Sequence, residues 1–172
     1  MNDTRDALLK MFLEYADICN RFDEMETACR YFTADGWIEA EGSRSQGAKA
    51  VRAVHDCDAG CRALVFFEDI RWEDDHTMVC NFIYETELDR LLGIPGLGRI
   101  SRITFRDGLI DTWLVEKADP AHLEGRRPIV GPVFAWVKEN RPELLERARG
   151  PISFETGHAL VEIAEAWTNR QG

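Results

Sequence analysis

The sequence has no hydrophobic run long enough to cross a membrane and no excess of positive charge. Its richest apolar stretch, residues 63–72, is interrupted by three charged side chains, whereas a membrane-spanning helix needs about 20 mostly apolar residues. Lys and Arg number 21 against 31 Asp and Glu, which gives a net charge of −10. Long-range electrostatics therefore oppose nucleic acid and anionic lipid surfaces. We expect neither a membrane partner nor a nucleic-acid partner.

A secretory signal pattern is also missing, and cysteines are few. The N-terminus lacks a basic region followed by an apolar segment and a cleavage site. The five cysteines are an odd number without the dense spacing of a disulfide-stapled protein. We therefore expect a cytoplasmic protein with free thiols. Its 172 residues, 45% of them hydrophobic, suffice for one domain with its own core but not for two of ordinary size.

Sequence motifs for cofactors are absent as well. The glycines of residues 93–98 lie between two predicted strands rather than before a helix, so they do not predict a phosphate site. His55, Cys57 and Cys61, with Asp58 or His76 as a fourth ligand, match no standard zinc spacing. We expect no cofactor and no metal ion.

What the sequence does contain first is a set of helical patterns. A helix is predicted to begin near Asp3 or Thr4, because five apolar residues recur at steps of four and three. These are Leu8, Phe12, Tyr15, Cys19 and Phe22. Shorter helices are predicted over residues 23–31, where Asp23 can cap the first turn, and over residues 47–54, before a loop at 56–60. Residues 37–41 are typical of a strand.

Four longer strands follow, and the chain then returns to helices. The strands are rich in β-branched and aromatic residues and cover 62–72, 76–88, 99–106 and 109–116. Short turns such as Asp107-Gly108 favour antiparallel hairpins, and residues 89–98 form a longer connection. Helices are predicted over 128–140, 142–149 and 153–169. This order predicts an α+β fold in which a curved antiparallel sheet wraps the N-terminal helices, with a C-terminal helical extension.

The order of elements, with a few residues in it, resembles the nuclear transport factor 2-like superfamily. The residues that carry the resemblance are Tyr15, Asp23, 32–41, Gly47 and 105–110. It implies a cone-shaped α+β barrel over residues 1–119, with residues 120–172 as a helical extension of the same domain. The superfamily includes ketosteroid isomerases, scytalone dehydratases, limonene-epoxide hydrolases, polyketide cyclases and domains without catalysis, so the resemblance alone fixes no activity.

The extension carries apolar residues that have to be buried somewhere. They are Val133, Phe134, Trp136, Val137, Leu144 and Leu145. Three interpretations are open: a lid over the mouth of the cone, an element of a dimer interface, or simple stabilisation of the outer surface of the domain.

Resemblance to the ketosteroid isomerases implies a polar cluster in the cone. In those enzymes a first-helix tyrosine donates to the substrate oxyanion and two further tyrosines support it, and the matching positions are Tyr15, Tyr31 and His55. The base and the protonated oxyanion acid of that family fall on Ala40 and Ser101, which are not acids. We therefore do not expect steroid isomerisation by that mechanism.

Resemblance to the limonene-epoxide hydrolases leaves the facing of one glutamate open. Those enzymes hold a water with an arginine and two aspartates, but the nearest strand pair here is Glu85 with Glu87, and the last-strand position falls near Val115. That comparison would turn Glu85 inward. The alternation of the apolar residues 78, 80, 82 and 84 would turn it outward, and we favour the surface for Glu87.

The last strand supplies the candidate proton carrier. Alternation places Asp111, Trp113 and Val115 on one face, and the resemblance implies that this face points into the cone. The polyketide cyclases of the superfamily use an acid from this strand. A carboxyl beside a tryptophan in an apolar cavity would have a raised pKa, which suits a general acid or base. The alternative is that Asp111 lies solvated at the rim.

Two further charged or polar residues have both a functional and a structural interpretation. Arg99 could pair with Asp111 or bind a substrate carboxylate through its guanidinium, or it could lie exposed on its strand. His55 could take part in catalysis or contact the ligand, or it could donate a hydrogen bond to a neighbour as a purely structural residue.

These patterns favour a cofactor-independent acid/base enzyme for a small hydrophobic metabolite such as a polyketide or terpenoid. It would be an isomerase, cyclase, dehydratase or epoxide hydrolase, and we expect a homodimer. Asp111 would carry the proton, with Tyr15 and His55 as polarising or orienting donors. The expected substrate-binding residues are Tyr31, Trp37, Phe67, Glu85, Arg99, Ser101 and Trp113. The alternative is a non-catalytic ligand-binding or dimerisation domain of the same fold.

Overall fold

Three helices form the N-terminal layer of the computed structural model, which describes residues 2–171. They are α1 (Asn2–Cys19), α2 (Met25–Cys29) and α3 (Ala48–Gly60). One face of α1 is buried, as the spacing of Leu8, Phe12 and Tyr15 predicts. Phe22 has left the helix and has a φ of 63°, and the cap expected from Asp23 is not formed, because α2 begins two residues later with Glu24 at its N-cap.

Six strands form one curved sheet that does not close. They are β1 (Phe32–Ala40), β2 (Ser43–Gln46), β3 (Leu64–Trp72), β4 (Thr77–Glu85), β5 (Leu97–Arg106) and β6 (Leu109–Val115). Their order across the sheet is β2-β1-β6-β5-β4-β3. Neighbours pair antiparallel as predicted, except β1 and β6, which pair in parallel. The fold class is therefore the predicted α+β arrangement.

Four further helices occur in the second half of the chain, one between β4 and β5 and three after β6. They are α4 (Glu87–Leu92), α5 (Pro120–Asn140), α6 (Pro142–Ala148) and α7 (Phe154–Thr168). α4 replaces part of the predicted connection at 89–98, because Thr86 and Asp89 form a capping box and Gly93 ends the helix with a φ of 65°. α5 starts eight residues earlier than predicted, where Asp119 caps Ala121. No helix among residues 2–171 is long and apolar enough to span a bilayer.

Two hydrophobic cores correspond to these two groups of elements. The first lies between α1–α3 and the concave side of the sheet and contains Phe12, Tyr15, Met78, Ile103 and Trp113, among others. The second joins α4 to the three C-terminal helices and is built on Leu88, Val133, Val137, Leu144, Leu145, Ile163 and Ala164. The apolar residues of the extension are thus buried mainly against one another and against α4.

Two glycines allow α7 to pack closely along α3. A Cβ on Gly157 would lie 2.0 Å from the carbonyl oxygen of Cys57, and one on Gly60 would lie 2.2 Å from that of Phe154. Side chains at either position would force the helices apart. α3 is therefore packed on one side by α7 and carries His55 towards the first core on the other.

Candidate functional site

A cavity of about 190 Å³ opens between α1, α3 and the concave side of the sheet. Its wall is mostly apolar and includes a small number of groups that titrate or donate hydrogen bonds. The lining residues are Tyr15, Ile38, Ala40, Val54, His55, Asp58, Phe82, Tyr84, Arg99, Trp113 and Val115. A larger, shallow depression of about 570 Å³ lies between the start of α1 and the β5–β6 turn, but it is open to solvent and lacks this combination.

Tyr15 and His55 form a buried hydrogen-bonded pair in the cavity wall. Nδ1 of His55 lies 2.8 Å from the carbonyl oxygen of Val51, which can only accept, so Nδ1 carries the proton. Nε2 is then the acceptor for the Tyr15 hydroxyl at 2.9 Å. Burial lowers the pKa of His55 and raises that of Tyr15 well above its ordinary value. Both side chains are therefore neutral at pH 7.

This pairing changes the role that the resemblance implied for Tyr15. The Tyr15 proton is donated to His55 rather than directed at a ligand. The phenol oxygen can accept a hydrogen bond instead. Tyr31, the third member of the expected cluster, packs at 5.8 Å from the Tyr15 ring, measured between centroids, and does not line the cavity.

Asp58 and Tyr84 form a second pair in the same wall. The Tyr84 hydroxyl donates to Oδ1 of Asp58 at 2.7 Å, and Sγ of Cys61 lies 3.3 Å from the same hydroxyl. Burial raises the pKa of Asp58 to about 7, although the hydrogen bond from Tyr84 acts in the opposite direction. Asp58 is therefore a carboxyl group that both gains and loses a proton near neutral pH.

The sequence pattern does not indicate Asp58 as a proton carrier, because it predicts that α3 ends at residue 54, six residues before its actual end at Gly60. The expected loop at 56–60 is helical to Gly60, so Asp58 follows His55 by three residues and Val54 by four on one helix face. The spacing was present in the sequence, but it has this meaning only if the helix continues. The packing of α7 against Gly60 is what the local pattern did not reveal.

Arg99 also lines the cavity, with a side chain only 15% exposed. Nη2 lies 3.0 Å from Oε1 of Glu41, which sits with Gly42 in the two-residue turn between β1 and β2. Ser101 follows on the inward face of β5 but lies behind the wall, where its Oγ accepts from Nε1 of Trp113 at 3.0 Å. Trp113 itself is buried and lines the cavity as predicted.

Asp111, the predicted proton carrier, lies outside the cavity. Thr33 donates to its Oδ1 at 2.8 Å, and Arg106 lies 2.6 Å from the same oxygen. The pairing of β5 with β6 passes from Phe105–Ile110 to Thr104–Thr112, so Asp111 is the extra residue of a β-bulge. The alternation that places Trp113 inward therefore does not extend to Asp111, and its expected inward facing is corrected.

Two further predicted residues, Trp37 and Phe67, do not line the cavity. Trp37 lies on the opposite face of β1 from Ile38, where the guanidinium of Arg44 stacks 3.9 Å above its ring. Phe67 belongs to the first core and packs against Phe82 at a centroid distance of 5.4 Å. Its role is to support the wall from behind.

Glu85 is the other residue that the structure turns away from the cavity. Phe82 and Tyr84 line the cavity, so the apolar alternation in β4 decides the facing and Glu85 lies on the other side of the strand. Glu87 is in α4 and pairs with Arg90 at 2.5 Å.

A second cavity, of about 130 Å³, shares part of its wall with the first. The shared residues are Ile38, Ala40, Val54 and Asp58. Ile152, from the connection between α6 and α7, lines the second cavity, so the C-terminal extension reaches the neighbourhood of Asp58. Within residues 2–171 no group of three His, Cys, Asp or Glu side chains is arranged to hold a metal ion.

Comparison with known proteins identifies the fold. No family model and no curated protein matches the sequence. Solved structures do match. One is the epoxide hydrolase/cyclase-like enzyme SalBIII, studied for its role in pyran ring formation in the polyether salinomycin. It has 17% identity and a TM-score of 0.58, and the match covers 71% of this chain and 97% of SalBIII. An NTF2-like protein of unknown function from Cytophaga hutchinsonii has 12% identity and a TM-score of 0.53 over 70% of this chain and 94% of its own.

A designed protein is as similar to this chain as the Cytophaga hutchinsonii protein is, by TM-score. A de novo protein with a curved β-sheet has 14% identity and a TM-score of 0.53, covering 74% of this chain and 97% of its own. The chain therefore has the NTF2-like fold, as the sequence resemblance predicted. Because these three structures are matched over 94–97% of their own length, this chain has additional residues beyond the shared fold. At such identities the similarity gives the architecture and not an activity.

Proposed function

We propose that this protein is an acid/base enzyme for a small, largely apolar metabolite, with Asp58 as the group that takes up and returns a proton. The observation that carries the proposal is the carboxyl of Asp58 on the wall of an otherwise mostly apolar cavity, held by the hydroxyl of Tyr84 at 2.7 Å. A carboxyl with a pKa of about 7 can act as base and then as acid within one cycle. Isomerisation, cyclisation, dehydration and epoxide opening all require such a transfer.

The walls of the cavity support a small substrate. Ile38, Val54, Phe82 and Trp113 provide apolar contact, and about 190 Å³ is below the roughly 300–1,000 Å³ of sites for drug-sized ligands. A substrate that fills the cavity displaces water from around Asp58. The same desolvation that raises the carboxyl pKa then persists during the reaction.

Tyr15 and His55 are best suited to orient the substrate rather than to polarise it. With its proton on the bond to His55, the Tyr15 oxygen accepts a hydrogen bond from a substrate hydroxyl. Tyr15 would donate to a substrate oxygen only if Nε2 of His55 gained a proton, which burial of the imidazole opposes. Asp58 is therefore the proton carrier, and Tyr84 is the residue that positions it.

A second candidate function is ligand binding without catalysis. It is favoured by one observation: the acid positions of the ketosteroid isomerases and limonene-epoxide hydrolases fall on Ala40, Ser101 and Val115, none of which carries a carboxylate. The two candidates differ at Asp58. A binding protein would tolerate its replacement by Asn with only a small change in ligand affinity, whereas an enzyme would lose turnover.

Hydrogen–deuterium exchange tests the proposed function without knowledge of the natural substrate. Cyclohexanone and cyclohexenone are incubated with the protein in D₂O at neutral pH, and loss of the protons next to the carbonyl is followed by ¹H NMR. We expect exchange above the buffer rate, lowered in Asp58→Asn by about 100-fold or more. Asp56→Asn is the matched control, because Asp56 lies on the same helix but pairs with Arg52.

Two results would contradict the proposal. One is exchange by the wild type that Asp58→Asn leaves intact. The other is binding of the ketones without any exchange above buffer, which would favour the binding candidate. The expected homodimer stays a separate prediction, and sedimentation equilibrium tests it as a mass of twice 19.7 kDa.

A further inference from the structure

Arg99 is the only Lys or Arg among the described residues that line the main cavity. Its side chain is 15% exposed, in a protein whose net charge is −10. A guanidinium in a mostly apolar wall is unfavourable unless its charge and its N–H groups are matched by partners. The partners of Arg99 therefore indicate what this position is suited to hold.

The partner that Arg99 has satisfies only part of the guanidinium. Oε1 of Glu41 lies 3.0 Å from Nη2, and the Glu41 side chain is 52% exposed at the turn between β1 and β2. Nε of Arg99 is buried and has no hydrogen-bond partner within residues 2–171. The Nε and Nη2 hydrogens form one edge of the guanidinium, and that edge binds a carboxylate through two parallel hydrogen bonds. Glu41 contacts one donor of this edge and leaves the other without a partner.

We propose that Arg99 binds a carboxylate of the substrate through Nε and Nη2, and that this carboxylate displaces the exposed Glu41. The inference rests on the proposed function, because it places in the same cavity the molecule whose proton Asp58 transfers. It narrows the substrate class to small apolar carboxylic acids. Arg99 thereby exchanges the half-exposed Glu41 for a ligand carboxylate that accepts hydrogen bonds from both Nε and Nη2.

A carboxylate fits the wall better than a phosphate group does. A phosphate carries more negative charge and more acceptor oxygens than one guanidinium edge can satisfy. The other charged or titratable groups of the lining are Asp58, His55 and the two tyrosines Tyr15 and Tyr84, and none of them is a cation at pH 7. The cavity therefore favours carboxylates over phosphate esters as ligands.

Benzoate and benzamide are suitable probes, because they have the same shape and differ in charge. Isothermal titration calorimetry at about pH 6, where Asp58 retains its proton, gives their affinities for the wild type. We expect benzoate to bind about tenfold or more tightly than benzamide. Arg99→Gln should abolish this difference, and Arg99→Lys, which keeps the charge but not the paired donors, should retain only part of it.

Two further variants sharpen the comparison. Glu41→Gln should tighten benzoate binding, because it removes the carboxylate that competes for Nη2. Arg102→Gln, on the same strand and paired with Glu73, should leave the benzoate preference unchanged. Equal affinity of the wild type for the two probes, absence of benzoate binding, or a benzoate preference that persists in Arg99→Gln would each overturn the proposal.

Asp58→Asn separates this inference from the proposed function. It should keep the benzoate preference while it loses ketone exchange. Exchange that depends on Asp58 without a benzoate preference would remove the substrate class and leave the acid/base function. A benzoate preference that depends on Arg99 without any exchange would do the reverse.

Discussion

Replacing Asp58 with Asn should stabilise the protein above neutral pH and change its stability little in acid. Burial raises the pKa of this carboxyl from an ordinary 3.8 to about 7. A carboxyl that binds its proton more tightly in the folded state contributes its full stabilisation below pH 3.8. That contribution is lost as the pH rises towards 7, because the unfolded chain releases the proton first.

The size of the effect follows from the pKa change. At 1.36 kcal/mol per pH unit, the wild type loses about 4 kcal/mol of unfolding free energy between acid and pH 8 through this group. Asn has nearly the shape of a protonated Asp, and its carbonyl oxygen can still accept from Tyr84. The variant should therefore equal the wild type near pH 4 and exceed its unfolding free energy by up to about 4 kcal/mol near pH 8.

Urea unfolding at about pH 4, 6 and 8 measures this difference for the wild type, Asp58→Asn and the control Asp56→Asn. Asp56 pairs with Arg52 at the surface, so the control should lose about 0–1 kcal/mol at pH 6 and 8. A difference between Asp58→Asn and the wild type that stays constant across this range would refute the reasoning. It would mean that the carboxyl is hydrated and titrates normally.

The C-terminal helices give two further predictions. Gly157→Ala places a Cβ 2.0 Å from the carbonyl oxygen of Cys57 and should cost about 1–3 kcal/mol or more in urea unfolding, whereas Gly125→Ala on α5, with no atom within 4 Å, should gain up to about 1 kcal/mol. Arg126→Met leaves the carboxylate of Asp89, only 4% exposed, without its ion-pair partner and should cost about 3–5 kcal/mol. Adding Asp89→Asn to that variant should recover part of the loss, and a full loss in the double variant would contradict the pairing.

The sequence predicted the architecture because its strongest signals are local. Alternating β-branched and aromatic residues mark the long strands, and Asp107-Gly108 marks the turn between β5 and β6. The boundaries of α3 and α5 were less accessible. α3 continues through Asp56 and Asp58 because α7 packs on its last turn, and a long-range contact of this kind leaves no local pattern.

The candidate site could be predicted only in part, because local patterns do not reveal where a strand carries a bulge. Tyr15 and His55 meet as expected, and Trp113 and Arg99 line the cavity. Facing along a strand depends on register, and a bulge of one residue reverses it. That bulge turns Asp111 away from the cavity, where Thr33 and Arg106 bind it. Ile110 and Trp113 both face the first core across the bulge, whereas uninterrupted alternation would put these two residues on opposite faces.

The carboxyl pKa of Asp58, measured by ¹³C NMR with Asp58→Asn to assign the resonance, tests the central claim most directly. The account predicts that Asp58 titrates near pH 7. It also predicts that this pKa changes when benzoate is added, because Asp58 and the bound benzoate share one cavity. Titration near pH 4, unaffected by the ligand, would contradict it.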